Sequence, residues 1–424
     1  MSNTGPARNR PDPPPGTEPV LDRVAGWSFL LFVAVLPWSM AAMSIAIGIC
    51  GALTLAVWVR RPGRLPATPV TWPALAWLVA FTLSAWFALD RAGSVPRLTK
   101  TLFPLLVPMA ATHARLPRRG RRALAVLLVS TTLAALAGLG IYVAEGAGWP
   151  MRAKGTIGNY MTFGGQLLLL VSLAAGVGAL ERSRRWRWTA LSTAVAGSAA
   201  LAATYTRSAW IGLTVSLVTL LGLARPRWLP VLAAAIAIAL ALAPASFRAR
   251  ARSAFDPSDP GNLQRTYMWQ GGVAMFRAHP LLGVGTQDLQ PIYERYKPPQ
   301  ATERAGHLHN VPIQIAASMG LVGLAAFALL YGSLFVTAGR GLRRRIAAGG
   351  LATGLRAGVV AMLVGFLAAG LFEFNFGDEE LLYLLYTLVG MAWAAREWED
   401  GRAGGRAPGA GDATAAAAGD RGPR

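Results

Sequence analysis

The sequence predicts an all-α polytopic membrane protein. About twelve transmembrane helices are expected, with one long loop at 245–310 that carries short amphipathic helices on the outer face. Three observations predict this class. Of 424 residues, 54% are hydrophobic and only 14% charged, where soluble domains carry roughly a quarter charged residues. Charge-free runs recur along the chain, the first of them between Arg23 and Arg60. Basic residues fall in short clusters at alternate turns, as the positive-inside bias requires.

A bilayer core about 30 Å thick takes about 20 helical residues, so 23–60 is too long for one crossing. Pro37-Trp38-Ser39 divides it into a hairpin of two spans. Further apolar runs fall at 69–89, 101–114, 123–144, 160–180, 189–206, 208–224, 229–244, 311–338, 357–376 and 380–395. The turns RRPGR (60–64), RLPRRGRR (115–122), ERSRRWRW (181–188), RPR (225–227) and RGLRRR (340–345) all fall on one side. Cytoplasmic N- and C-termini are therefore expected. The Pro-rich residues 1–22 and the Gly/Ala/Arg-rich tail 399–424 read as disordered cytoplasmic ends, with helices 1–9 in 23–244 and helices 10–12 in 311–398.

The net charge of +21 is thus mostly topological, and nucleic acid is not an expected partner. Cys50 lies within a span, so no disulfide is available inside the chain. No cleavable signal peptide is expected, since the first apolar run continues straight into a second span. The absence of an internal repeat, and of ionisable groups deep in the spans, argues against an ion-coupled transporter.

Polar residues gather instead at the outer ends. Residues 262–278 space Leu263, Tyr267, Gly271 and Ala274 at helical intervals, and His279-Pro280 ends that helix. Gly283-Val284-Gly285 reads as a turn. Residues 287–297 form a second short helix with Leu289, Ile292 and Tyr296 on one face. Such a loop lies on the membrane surface or caps a cavity.

Arg207, in TYTRSAW between two apolar runs, reads as an interfacial anchor or as an anion clamp. The clamp is preferred because positive charge is not favoured on this side. Arg265, one turn before Trp269, lies on a solvated helix face or binds an anion. His307 and His309 flank Leu308 at the mouth of a span, as cap residues or as a base, since imidazole titrates near neutrality. Two histidines fall short of the three or four ligands of a closed metal site, so no metal is expected. Glu373, Asp378, Glu379 and Glu380 read as a solvated outer turn.

HNVPIQIAASMGLVGL (309–324) resembles the His-Asn-x-x-x-Gln…Gly-[Leu/Ile]-x-Gly signature of the O-antigen ligase and polymerase superfamily. Upstream, Arg265, Trp269, Phe276, His279, Pro280, Leu281, Gly283 and Gly285 are similar to the family's R-x-x-x-W…F-x-x-H-P-L-x-G-x-G segment. TRSAW resembles the family's Arg at a span junction, and KGTIGNYMTFGGQL (154–167) is a fainter match to its Asn-containing outer segment.

The resemblance, which covers roughly 150–330, implies a glycosyltransferase acting on lipid-linked glycans in the bacterial inner membrane. Its active site would face the periplasm and use neither metal nor cofactor. An O-antigen ligase of this kind moves O-antigen from undecaprenyl diphosphate, the donor, to the lipid A-core oligosaccharide, the acceptor, among membrane lipids. By motif position, His309 would be the catalytic base and Arg207 and Arg265 the diphosphate-binding pair. His307, Asn310, Gln314 and Asn159 would be accessory. A polymerase or a protein O-oligosaccharyltransferase of the same superfamily remains an alternative expectation. A non-catalytic exporter is an alternative from another class.

Overall fold

A computed structural model describes residues 19–403, and all regular structure among them is helical. The chain opens with the hairpin α1 (Val20–Val35) and α2 (Met40–Arg60), joined across the expected Pro37-Trp38 turn. Then come α3 (Thr71–Trp86), the short α4 (Arg91–Ser94), and a 3₁₀ stretch Val95–Leu105 that runs into α5 (Leu106–Ala114). Long helices α6 (Pro117–Ala144), α7 (Tyr160–Leu180), α8 (Arg184–Ala203) and α9 (Arg207–Ala224) follow, with α10 (Leu229–Leu242) after them. The loop holds α11 (Ala245–Arg252), α12 (Pro260–Ala278) and α13 (Gln290–Tyr296). The chain then returns through α14 (Val311–Gly339), α15 (Leu342–Ile346), α16 (Leu351–Gly370) and α17 (Glu379–Ala403).

Each of the twelve expected runs contains helix, but only six helical stretches are long and apolar enough to cross a bilayer. These are Met40–Arg60, Pro117–Ala144, Tyr160–Leu180, Arg207–Ala224, Val311–Ile346 and Leu351–Gly370. The others are shorter, as α1 and α3 are at 16 residues each, or begin or end in charge, as α8 and α17 do. The ends expected to be disordered lie largely outside the described residues; Val20 to Asp22 and the stretch up to Ala403 belong to helices.

The centre of the bundle is α7 with α16 and α9. A Cβ on Gly176 of α7 would sit 2.4 Å from the Gly358 Cα of α16, and one on Gly212 of α9 would sit 2.7 Å from the Gly365 carbonyl. These glycines let backbones touch, which is how helices gain dispersion contacts where lipid offers no hydrophobic drive. The packing brings the N-terminal ends of α7 and α9 beside the C-terminal end of α16.

A second device fixes α14. At Gly320 its backbone takes φ 63° and ψ −158°, breaking the helix. The loop segment after His279 repairs the break. Leu321 and Val322 donate to the carbonyls of Pro280 and Leu281, and Val284 and Gly285 donate to those of Ala317 and Ser318, at 2.8–3.2 Å. Irregular backbone at membrane depth persists only when its polar groups are satisfied in this way. Side chains do not fit: a Cβ on Gly283 or on Gly320 would lie 2.3 Å from the opposing backbone. The Gly283–Gly285 turn is therefore a clasp that ties the loop to the broken helix.

Candidate functional site

The segment around His309 is held from both sides. Asn310 caps α14, its Oδ1 accepting from Ile313 N at 2.9 Å, while its Nδ2 donates to the Leu371 carbonyl at 2.9 Å. Gln314, one turn into the helix, accepts the Leu308 amide at 2.8 Å. Between these anchors His309 sits at φ 47°. Residues with a Cβ avoid this left-handed region, and its strain persists where neighbours over-determine the backbone. Asn310 and Gln314 thus act as positioning residues. Asn159 caps α7, accepting from Met161 and Thr162 amides, and does not line the cavity described below.

Glu373 corrects the expectation of a solvated acidic turn. Its side chain is buried, and its two oxygens lie 2.9 and 3.0 Å from His309 Nδ1. His307 Nε2 and an Arg265 guanidinium nitrogen each stand 3.5 Å from the same carboxylate. Burial alone would raise the Glu373 pKa. Hydrogen bonds from His307 and His309, and the charges of His309 and Arg265, outweigh burial and hold it well below the usual carboxylate range. Glu373 therefore stays ionised and accepts from the His309 Nδ1–H; in the neutral form of the ring that leaves Nε2 as the acceptor. The two histidines differ in setting: the His309 side chain is 19% exposed, that of His307 46%.

His309 lines a cavity of about 450 Å³. Across it stand Arg152, Arg207, Arg250 and Arg265, with Asp259 and Glu303 the acidic residues of the wall. Arg207 is 6% exposed, donates to the Ser253 carbonyl and hydroxyl at 2.8 and 2.9 Å, and pairs with Asp259 at 3.3 Å. It thus both faces the cavity and anchors the loop. The first residues of α7, α9 and α12 also line the space, so three helix N-termini add their partial positive charge. Such a wall suits a phosphate-bearing ligand, with a base at its edge.

Local sequence reasoning singled out His309, Arg207 and Arg265, and the fold brings them to one cavity. It read Glu373 as part of a solvated turn and gave no role to Asp259, Arg152 or Arg250. A signal for Glu373 was present in its flanks, since FEFNF puts an acid between aromatic residues at a span end. His307, His309 and Glu373 also offer three ligand atoms within 4.8 Å of one another. The Arg265 guanidinium beside Glu373 opposes a cation there, and the Nδ1 bond occupies the carboxylate.

The fold and this site describe a protein with several membrane-spanning helices and an arginine-lined cavity that has a histidine at its edge. A protein-family model described as O-Antigen ligase matches residues 192–328, a stretch that contains Arg207, Arg265 and the His309 motif. Over that stretch the chain is similar to the O-antigen ligase family, in agreement with its motifs. No curated protein matches the chain.

Proposed function

We propose that the protein is an O-antigen ligase, an inverting glycosyltransferase that moves O-antigen from undecaprenyl diphosphate to the lipid A-core on the periplasmic face of the inner membrane. The observation that carries this reading is the cavity wall itself: a base with a free ring nitrogen at one edge, arginines across the space. In the reaction, His309 Nε2 takes the proton of an acceptor hydroxyl as its oxygen bonds to the anomeric carbon of the donor. The bond from that carbon to the diphosphate oxygen breaks in the same step, so configuration inverts. Glu373 holds the imidazole in the required tautomer and stabilises the imidazolium that forms. A positioned base contributes about 10²–10⁴-fold. Arg207 and Arg265 meet the charge that develops on the departing diphosphate, a preorganised stabilisation worth more in a partly dry cleft than in water. No metal is needed, because guanidinium groups supply the positive charge.

The proposed topology has twelve crossings with both termini inside. It is supported by chain direction. α7 and α9 start at the cavity, α14 starts two residues past His309, and each runs to a basic cluster at its far end, at 181–187, 225–227 and 340–345. A thiol at Ser258→Cys should therefore react with an impermeant reagent added to the periplasmic side, and one at Ser183→Cys should not. The reverse pattern overturns the orientation.

Purified protein with lipid-linked donor and lipid A-core acceptor tests the mechanism. His309→Ala should abolish transfer while donor still binds, His307→Ala should cost only a few-fold, and transfer should continue in EDTA. Full activity of His309→Ala, or activity lost to chelator and restored by a divalent ion, defeats it. A deletion strain separates ligase from polymerase. Loss of a ligase leaves unsubstituted core with stalled lipid-linked polymer; loss of a polymerase leaves core carrying one repeat.

A further inference from the structure

The four cavity arginines are not equivalent. Arg207 is neutralised by Asp259 at 3.3 Å, and Arg265 leans on Glu373 at 3.5 Å. Arg152 has only uncharged partners: the carbonyls of Thr204 and Tyr205 at 2.8 and 2.9 Å, the Thr206 hydroxyl at 3.3 Å, and the Tyr160 ring 3.4 Å beneath its guanidinium. Arg250 has less. Its Nε is buried without a hydrogen-bond partner, and its guanidinium lies 5.1 Å from the Trp149 ring. Neither forms an ion pair among the described residues.

We infer that Arg152 and Arg250 are the principal anion-binding pair of this cavity and select a diphosphate group over a monophosphate. Arg207 and Arg265 serve beside them through carboxylates that also shape the wall. The inference rests on reading the cavity as the donor headgroup site.

Three physical points carry it. Two guanidiniums without counter-ions in one partly buried space are costly to keep apart from an anion. Burial lowers the Arg152 pKa to about 10, with the charges of Arg250 and Arg207 pushing the same way, and burial with the charge of Arg207 lowers that of Arg250. A ligand with two phosphate groups relieves both at once, Arg152 donating to one phosphate through Nη1, which its carbonyl and hydroxyl bonds leave uncommitted, and Arg250 donating to the other. A monophosphate engages one fork and leaves the second charge uncompensated. The stacking of Arg152 on Tyr160 and its carbonyl bonds also fix the direction of its fork before any ligand arrives, which cuts the ordering cost of binding.

Binding to the full-length protein in detergent, measured by titration calorimetry, tests this apart from transfer. Inorganic pyrophosphate should bind at least tenfold more tightly than orthophosphate. Arg250→Gln should weaken pyrophosphate at least tenfold and erase that preference, and Arg250→Lys should recover part of the affinity. Arg248→Gln makes the same change of charge on the same helix, at a residue that bonds only the Ala241 carbonyl, and should shift affinity less than twofold. Arg152→Gln should match the loss of Arg250→Gln, with a lower melting temperature because it also ties down the 204–206 turn.

Geranyl diphosphate separates the two sources of the group. Tighter binding than pyrophosphate, with the same dependence on Arg250, assigns the site to a lipid headgroup; binding of pyrophosphate alone assigns it to the free anion. Equal losses in Arg250→Gln and Arg248→Gln, or no preference for pyrophosphate in the unmodified protein, overturn the inference. An inactive protein that still shows the Arg250-dependent preference leaves the pair assigned and the transfer reading at fault.

Discussion

Two arginines of the cavity wall are paired with carboxylates, Arg207 with Asp259 at 3.3 Å and Arg265 with Glu373 at 3.5 Å. They differ in what else each carboxylate holds. Asp259 caps α12, accepting the Asn262 amide at 3.2 Å, so its pair fastens the loop to the start of α9. Glu373 accepts from His309 Nδ1 at 2.9 Å and stands 3.5 Å from His307, so its pair couples the anion wall to the base. An ion pair of the same geometry is architectural in one case and, in the proposed reaction, part of the chemistry in the other. The remaining partners decide: a backbone amide at the start of α12 in one case, two histidines in the other.

The sharpest way to break this contrast is Glu373→Gln. An amide keeps the shape but cannot hold the imidazolium, and its NH₂ can drive His309 into the wrong tautomer. A fall in kcat of about 10²-fold or more is expected, the low end of what a positioned base contributes, with diphosphate binding retained. A fall of only a few-fold makes Glu373 structural. Arg265→Lys comes next. It keeps the charge facing Glu373 but loses the fork that matches phosphate oxygens, and about tenfold loss in kcat/KM is expected. Normal kinetics confine Arg265 to holding Glu373.

Asp259→Ala should act mainly on stability. Loss of the α12 cap costs about 1 kcal/mol, read as a lower melting temperature, while transfer per folded molecule stays within a few-fold. A drop as large as that of Glu373→Gln would erase the distinction between the pairs.

The smallest effect is expected at Asp378, the acid near Glu373 that has no arginine partner. Burial, with the charges of Glu373 and Glu380, pushes its pKa up from 3.8 to about 7. A raised carboxyl binds its proton more tightly in the folded state. Its contribution is therefore complete below the ordinary value of 3.8 and lost as pH rises through about 7. The unmodified protein should lose melting temperature across that window relative to Asp378→Asn. Parallel profiles would mean that Asp378 is ionised throughout.

Much of this site is legible in short stretches of sequence. HNVPIQ specifies the proposed base, a cap that also reaches the Leu371 carbonyl, and a glutamine one turn on that holds the Leu308 amide. Each of these bonds except the one to Leu371 spans a few residues, so spacing alone announces it. The same holds for the H-P-L-x-G-x-G segment, whose glycines mark a close backbone approach, although nothing local says that the approach is to a break at Gly320.

The sequence by itself determined the membrane class, the helical runs and the polar loop between them, and it picked out His309, Arg207 and Arg265 as candidates. Hydropathy, helical period and motif spacing are short-range properties and survive being read along a line. Only the tertiary structure decided that Glu373, 64 residues beyond His309, is its partner, and that Arg152 and Arg250 face the same cavity without counter-ions. Those placements follow from glycine-to-glycine packing of α7, α9 and α16 and from the clasp on α14. Which helix ends meet is settled by backbone contacts between residues far apart in the chain, and no local pattern encodes that meeting.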